Sequence, residues 1–186
     1  MADSSRSVDV SVIIPVGNRF ADPFELCAEY RAGLDAVGRS YEMIFVIDGP
    51  RERFTEALRQ CASDAHAVTI VSLTRPFGEA TAIMAGFEQA QGRVIVTLPA
   101  YFQIDAGELP KLVGALERCD LAIARRWPRA GGWFERLRRS AFHGLLRAVT
   151  GLQFRDLGCG ARAFDRRVLE EIQLYGDQHR FLPVLA

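Results

Sequence analysis

The sequence predicts an α/β domain in which a mostly parallel sheet carries helices on both faces. Short apolar runs rich in β-branched residues recur along the chain, and most are bounded by glycine, proline or aspartate. Segments with the apolar periodicity of helices separate these runs without a break from residue 10 to residue 124. Such alternation is typical of parallel sheets, whose strands are joined by right-handed helical crossovers.

The predicted strands are short and apolar enough to be buried on both faces of the sheet. The central one covers residues 94–98 and ends at Pro99, which lacks the N–H group that a ladder needs. The second strand ends at Asp48-Gly49, a common turn pair. In chain order, the predicted strands are residues 10–16, 41–47, 67–73, 94–98 and 121–124.

Helices are predicted from capping residues and apolar stripes between the strands. Asp22-Pro23 is a favourable helix start, because aspartate caps free N–H groups and proline fits the first turn. In the second helix, Phe54, Leu58 and Cys61 fall on one face. In chain order, the predicted helices are residues 24–37, 51–62, 78–90, 109–119, 131–152 and 165–174.

The two ends of the chain differ from the rest in composition. Residues 1–8 are small and polar, so we predict a disordered lead-in followed by a single domain over residues 9–186. Residues 181–186 are mostly apolar. Because natural termini are usually more polar, we expect the domain to be truncated at its C-terminus.

Composition argues against several classes of protein. Lys+Arg and Asp+Glu both number 23, so no net charge favours nucleic acid as a partner. The sequence contains neither a signal peptide nor an apolar run of the roughly 20 residues that span a membrane. The four cysteines form no CxxC pair, which favours free thiols in a reducing cytosol. A cytoplasmic protein is therefore predicted.

The predicted helix over residues 131–152 is both basic and amphipathic. Trp133, Phe134 and Leu137 lie among arginines such as Arg136 and Arg139. A helix of this kind can lie in a membrane interface. It can also pack on the sheet edge with its basic face in solvent, which is the more ordinary interpretation. Both interpretations remain open.

The strand ends are where a binding site is expected. In an open α/β sheet, ligands bind in the crevice beyond the carboxyl ends of the strands. After the central strand this crevice would lie over residues 99–105. The segments that follow the other strands are residues 15–19, 47–50, 74–78 and 125–127.

The order and spacing of these segments resemble the family 2 glycosyltransferases, which have the GT-A type of Rossmann-like fold. The similarity is greatest to the branch of dolichol-phosphate mannose synthase and the bacterial polyprenyl-phosphate sugar synthases. The resemblance implies a transferase that moves a sugar from a nucleoside diphosphate donor to a polyprenyl or dolichyl phosphate, at the cytoplasmic face of the inner membrane. The matching segments are SVIIPVGN (11–18), YEMIFVIDG (41–49), RPFGEATAIMAGFEQAQG (75–92), VTLPAYFQ (96–103), ELPKL (108–112), DLAIARRW (120–127) and RDLGCGARAF (155–164).

Carried onto this sequence residue by residue, the resemblance assigns binding roles and no catalytic residue. The acceptor side is assigned to Arg125 and Asp156. No oligomeric state is predicted. The residues assigned to the nucleotide-sugar donor are Pro15, Val16, Asn18, Asp48, Gly49, Gly78, Tyr101, Gln103 and Arg126.

The sequence departs from the family pattern at four positions where the family carries acids. Pro99 and Tyr101 stand at the two acid positions of the metal-binding motif, so no metal site is predicted there. Ile47 replaces the first acid of the pair after the second strand, and Arg19 reverses the charge of the acid after Asn18. The pocket has therefore lost the charge that would bind a divalent cation.

Three interpretations of this loss remain open. In one, Mn²⁺ or Mg²⁺ binds at a relocated site formed by Gln103 and Asp105, whose side chains share a face if the segment is extended. In another, the domain is catalytically silent and serves as a binding or scaffolding partner. In the third, the enzyme needs no metal, because an arginine supplies positive charge to the diphosphate. The arginines considered are Arg19, Arg75, Arg125 and Arg126.

Overall fold

The computed structural model describes residues 8–63, 68–126, 156 and 158–171. Within this part of the chain, the apolar runs form a single sheet of six strands. All five predicted strands form, and their ends differ from the prediction by one residue at most. The strands are β1 (Val10–Val16), β2 (Tyr41–Ile47), β3 (Val68–Ser72), β4 (Val94–Thr97), β5 (Leu121–Ile123) and β6 (Arg162–Asp165).

The strand order in the sheet is β3-β2-β1-β4-β6-β5. β1 pairs in parallel with β2 and β4, and β2 pairs in parallel with β3. β6 lies between β4 and β5 and is antiparallel to both. The predicted α/β architecture with a mostly parallel sheet is thus confirmed. The carboxyl ends of β1, β2 and β4 lie along one edge, where a ligand site is expected.

β6 is a strand that the sequence did not predict. It has four residues and follows Gly158 and Gly160, whose presence suggests a loop. The strand forms because it pairs with β4, with Thr97 opposite Arg162. The side chain of Phe164 is fully buried at this position. Pairing and burial outweigh local composition here, as they commonly do in sheets.

Helices cover both faces of the sheet, as predicted. Residues of β1 alternate between the two faces: Val12 packs in one apolar cluster and Ile13 in the other. The helices are α1 (Pro23–Asp35), α2 (Glu52–Ser63), α3 (Glu79–Gln89), α4 (Leu109–Gly114) and α5 (Arg166–Glu171). The first cluster includes residues of α1, α2 and α4, and the second includes residues of α3 and α5.

The limits of α1 agree closely with the prediction, whereas those of α4 do not. α1 begins as predicted, since the Asp22 carboxylate accepts hydrogen bonds from the backbone N–H groups of Phe24 and Glu25 at 3.0 and 3.2 Å. The helix predicted over residues 109–119 is wrong in length. The α-helical part ends at Gly114, and residues 115–117 continue as a 3₁₀ turn. Glycine is a poor helix former, which agrees with the end of the α-helix at this position.

Several predictions lie outside the described residues. These are the lead-in up to residue 7, the basic helix over residues 131–152 and the apolar end of the chain. Among the helices that the structure describes, none is long and apolar enough to cross a membrane. All four cysteines are free thiols: Cys27, Cys61 and Cys159 are buried, and Cys119 is exposed.

Candidate functional site

A cleft of about 470 Å³ lies at the carboxyl ends of β1, β2 and β4. It is the position that the fold class predicts for a ligand. Glycine backbone from the segment before β6 forms part of its wall. Five of the residues predicted to bind the donor line this cleft: Pro15, Asn18, Asp48, Tyr101 and Gln103.

Three other predicted donor residues shape the backbone near the cleft. The side chain of Val16 is fully buried in the core, and its carbonyl accepts a hydrogen bond from the Asp48 N–H group. Gly49 and Gly78 have φ angles of 88° and 95°, which non-glycine residues rarely adopt. A Cβ atom on Gly49 would also lie 3.0 Å from the ring of Pro76. These residues position the loops rather than present side chains to the cleft.

The Asp48 carboxylate holds the loop before α3. Its two oxygens accept hydrogen bonds from the backbone N–H groups of Phe77 and Gly78, at 2.7 and 3.0 Å. Asp48 is buried, with 8% of its surface exposed, and it also borders the cleft. Asp48 therefore fixes the loop that leads into α3, and both of its carboxylate oxygens already accept hydrogen bonds.

Pro99 and Tyr101, the positions at which the resemblance implies acids, are held by a chain of contacts. The Tyr30 hydroxyl donates to the Pro99 carbonyl at 2.6 Å. The Gln103 side-chain amide donates to the Tyr101 hydroxyl at 2.6 Å, and its carbonyl oxygen accepts the N–H of Gly160 at 2.8 Å. Gln103 thus connects the segment after β4 to the segment before β6. The ring of Tyr101 is fixed in the cleft by this connection.

Arg19 lies over the ring of Tyr101. The guanidinium carbon is 4.1 Å from the ring centroid, which is within the range of a cation–π contact. Arg19 is exposed, and it forms no ion pair with any residue that the structure describes. Two of the four positions at which the resemblance implies acids, 19 and 101, are therefore in direct contact.

Arg162 and Glu79 also line the cleft, and neither was predicted from the sequence to lie there. Arg162 is only 4% exposed, and its Nε–H group donates to the Cys159 carbonyl at 2.9 Å. Burial lowers the pKa of Arg162, and the nearby charge of Glu79 opposes this shift. A guanidinium keeps its charge in proteins, so Arg162 is a buried cation. In the sequence, Arg162 could have been noticed as a charged residue within the otherwise apolar stretch ARAF.

The structure brings together Arg126 and Asp156, which the resemblance assigned to different substrates. The Arg126 guanidinium donates twice to the Asp156 carboxylate, at 3.0 and 2.9 Å, and the Arg126 backbone N–H donates to it at 3.2 Å. The hydrogen bond to Asp156 raises the pKa of Arg126. A Cβ atom on Gly158 would lie 2.9 Å from this guanidinium. The pair therefore holds the turn before β6.

Arg125 lies in a separate cavity of about 710 Å³, next to the cleft. Phe102, Ile104 and Leu112 contribute apolar side chains to this cavity, and Lys111 contributes a second cation. Gln103 borders both spaces. Asp105 and Glu108 also line it, and Lys111 pairs with Glu108 at 2.7 Å, so the cavity combines apolar walls with two cations and two carboxylates.

The residues present do not fit a divalent metal site of the kind the resemblance implies. Pro99 has no side-chain atom that could bind a metal, and the hydroxyl of Tyr101 already accepts a hydrogen bond from Gln103. The chain bends at residues 101, 103 and 104, so the segment is not extended as the relocated site required. The Asp105 carboxylate instead caps the Gly107 N–H group at 2.8 Å and borders the second cavity. Across the described residues, no group of three or more His, Cys, Asp or Glu side chains is placed to hold a metal.

Comparison with known proteins identifies the family. A model of glycosyl transferase family 2 matches residues 11–173. The chain belongs to this family. The undecaprenyl-phosphate 4-deoxy-4-formamido-L-arabinose transferase of Edwardsiella ictaluri is 35% identical over 188 residues, covering 100% of this chain and 58% of that protein. The transferase of the same name from Pseudomonas aeruginosa is 35% identical over 179 residues, covering 95% of this chain and 53% of that protein. The chain spans little more than half the length of these relatives.

Solved structures of other glycosyltransferases share the fold. Glucosyl-3-phosphoglycerate synthase from Mycobacterium tuberculosis, in complex with Mn²⁺, UDP and phosphoglyceric acid, superposes with a TM-score of 0.68 at 20% identity. The match covers 89% of this chain and 58% of that one. A mannosyltransferase from Pyrobaculum calidifontis, in complex with GDP-Man and Mn²⁺, has a TM-score of 0.58 at 20% identity, covering 89% and 47%. These similarities confirm the GT-A fold.

Proposed function

We propose that this chain is the donor-binding domain of a transferase that moves a sugar from a nucleoside diphosphate to a polyprenyl phosphate. One observation carries the proposal: the cleft at the carboxyl edge of the sheet is lined by five of the predicted donor residues and by Arg19 and Arg162. Guanidinium groups suit the phosphates of such a donor. The named activity of the undecaprenyl-phosphate transferases that resemble the chain supports the same acceptor class.

The proposed reaction makes modest demands on the protein. An oxygen of the acceptor phosphate forms a bond to the anomeric carbon of the sugar. The bond from that carbon to the donor diphosphate breaks, and the leaving diphosphate keeps the electron pair. Because the acceptor phosphate is already ionised, no strong general base is required. The main requirement is positive charge around the leaving group.

The donor assignment can be tested by thermal unfolding with a set of uridine and guanosine diphosphate sugars, each with and without Mn²⁺ or Mg²⁺. A ligand at one hundred times its Kd stabilises the folded state by about 2.7 kcal/mol, so binding is easily detected. We expect at least one donor to raise the melting temperature. If none of these diphosphate sugars changes the melting temperature under any condition, the proposed function is wrong.

The second candidate is a catalytically silent domain that acts as a binding or scaffolding partner. It is favoured by the loss of acids at Pro99 and Tyr101 and by the engagement of both Asp48 oxygens with backbone. Transfer of radiolabelled sugar from a bound donor to undecaprenyl phosphate distinguishes the two candidates. Transfer supports the enzyme, whereas a donor that binds and is never transferred supports the silent domain.

The proposed acceptor places the protein at the cytoplasmic face of a membrane, where the basic segment over residues 131–152 would contact lipid. Each basic residue near an anionic surface adds about 1 kcal/mol of attraction, which salt weakens. We expect the chain to float with vesicles of anionic phospholipid, less so at high salt and less so after Trp133→Ala. Equal flotation of the wild type and the variant would contradict contact through this segment.

A further inference from the structure

We propose that Arg19, supported by Tyr101, and Arg162 take the place of a divalent cation, so that the cleft binds a diphosphate without metal. The inference deepens the proposed function, since it takes the donor diphosphate as the ligand. A binding experiment distinguishes a failure of this inference from a failure of the proposed function.

Arg19 has a charge that is available to an anion. It is exposed at the cleft, and its recorded contact is the ring of Tyr101 at 4.1 Å, with no carboxylate partner among the described residues. A planar guanidinium presents its N–H groups as a fork that matches two phosphate oxygens.

Tyr101 restricts the position of the Arg19 side chain. Its hydroxyl is fixed by the Gln103 amide at 2.6 Å, and Gln103 is in turn bound to the Gly160 N–H at 2.8 Å. The ring is therefore held from both β4 and β6. A rigid aromatic platform reduces the entropy that a long arginine side chain loses on binding a ligand.

Arg162 contributes positive charge from the wall formed by β6. It is buried to all but 4% of its surface while it lines the cleft, and the Cys159 carbonyl holds its Nε–H group at 2.9 Å. A charge at this depth is weakly screened by solvent. Arg162 and Arg19 therefore give the cleft one buried and one exposed cation, beside the carboxylates of Asp48 and Glu79 that also line it.

A divalent cation would be repelled from the same place. The guanidinium of Arg19 already lies against the ring of Tyr101, and Pro99 offers no ligand atom. A metal ion bound beside Tyr101 would be within a few ångströms of a like charge, which disfavours its binding. The presence of Arg19 and Tyr101 where the resemblance implies acids is consistent with this inference, because the two residues together place one positive charge at the cleft.

The test measures binding of UDP, GDP and inorganic pyrophosphate by calorimetry, in EDTA and in Mn²⁺. We expect the wild type to bind a nucleoside diphosphate in EDTA, with a Kd that Mn²⁺ changes by less than about threefold. Arg19→Ala should weaken binding about tenfold or more, the usual effect of losing a charge-assisted hydrogen-bond pair. Tyr101→Leu, which removes the ring and keeps Arg19, should weaken binding by a smaller factor.

Arg166→Ala is the matched control. Its guanidinium also lies over an aromatic ring, 4.9 Å from the centroid of Phe87, at the opposite end of β6 from the cleft. Its loss should leave the Kd unchanged. Arg162→Lys tests the buried cation with its charge retained, and circular dichroism checks that each variant is folded. Because Arg19 is exposed, its variant remains informative even if Arg162→Lys fails to fold.

The outcomes separate the two proposals. Binding of nucleoside diphosphate only with Mn²⁺, or undiminished binding by Arg19→Ala, overturns the inference and leaves the proposed function standing. Pyrophosphate binding in EDTA that depends on Arg19, with no binding of UDP or GDP, supports the arginine site and removes the proposed donor. If neither pyrophosphate nor nucleotide binds in EDTA, the arginine site is wrong.

Discussion

Several polar side chains at the cleft bind backbone groups and thereby define its shape. Asp48 accepts from the N–H groups of Phe77 and Gly78, and Gln103 accepts from Gly160. A motif can indicate that such a residue lies near a ligand. It cannot indicate that the donors of the neighbouring backbone already occupy its oxygens, because those donors come from segments distant in the chain.

Asp48→Asn should destabilise the domain by about 1–3 kcal/mol, because it replaces one acceptor oxygen with an NH₂ donor that faces a backbone N–H group. Urea unfolding measures the change. Asp105→Asn is the control: Asp105 is exposed and caps Gly107 through one oxygen, which the amide oxygen can replace. It should cost less than about 0.5 kcal/mol. Equal losses in the two variants would contradict the structural role of Asp48.

Among the secondary-structure elements, α3 packs closely on the sheet. It has small residues along the side that packs on β1 and β2, and Gly86 is buried there. A Cβ atom on Gly86 would lie 2.5 Å from a methyl carbon of Ile13 and 3.1 Å from one of Val46. The glycine therefore allows the helix to lie close to the strands whose ends form the cleft.

Gly86→Ala should destabilise the domain although alanine is the better helix former. The gain in helix propensity is about 1 kcal/mol, whereas overpacking of a core typically costs 1–3 kcal/mol. Gly114→Ala is a matched control, because Gly114 is also helical and an added Cβ atom meets nothing within 4 Å. It should be neutral or stabilising in the same denaturant titration. A stabilised Gly86→Ala variant would contradict the close packing of α3.

Across the sheet as a whole, two aspartates clamp the end opposite the cleft. Asp9 accepts from the Ser40 hydroxyl at 2.6 Å, which joins β1 to the turn before β2. Asp165 accepts from Arg167 at 3.0 Å and from Arg93 at 3.4 Å, which joins β6 to α5 and β4. These contacts lower the pKa of both carboxyl groups.

The clamps should make the domain sensitive to acid. A carboxyl group with a lowered folded-state pKa stabilises the fold above its unfolded pKa of about 3.9, and the contribution is lost as pH falls toward the folded value. Melting temperatures between pH 7 and pH 3 should therefore fall less steeply for Asp165→Asn than for the wild type. Glu29→Gln removes an exposed acid that has no ion pair among the described residues and should leave the profile unchanged. Identical profiles for Asp165→Asn and the wild type would contradict the clamp.

The architecture of the domain and the position of the site could be derived from the sequence. Apolar periodicity and turn residues are local properties, so β1 to β5, the helix starts and the cleft at the strand ends could all be predicted from them. Which side chains meet depends instead on the folded arrangement of the whole chain. That arrangement brought Arg19 onto Tyr101, Arg126 onto Asp156 and the unpredicted β6 beside β4. These contacts join segments far apart in the chain, and no local pattern records a pairing that depends on how the whole sheet is assembled.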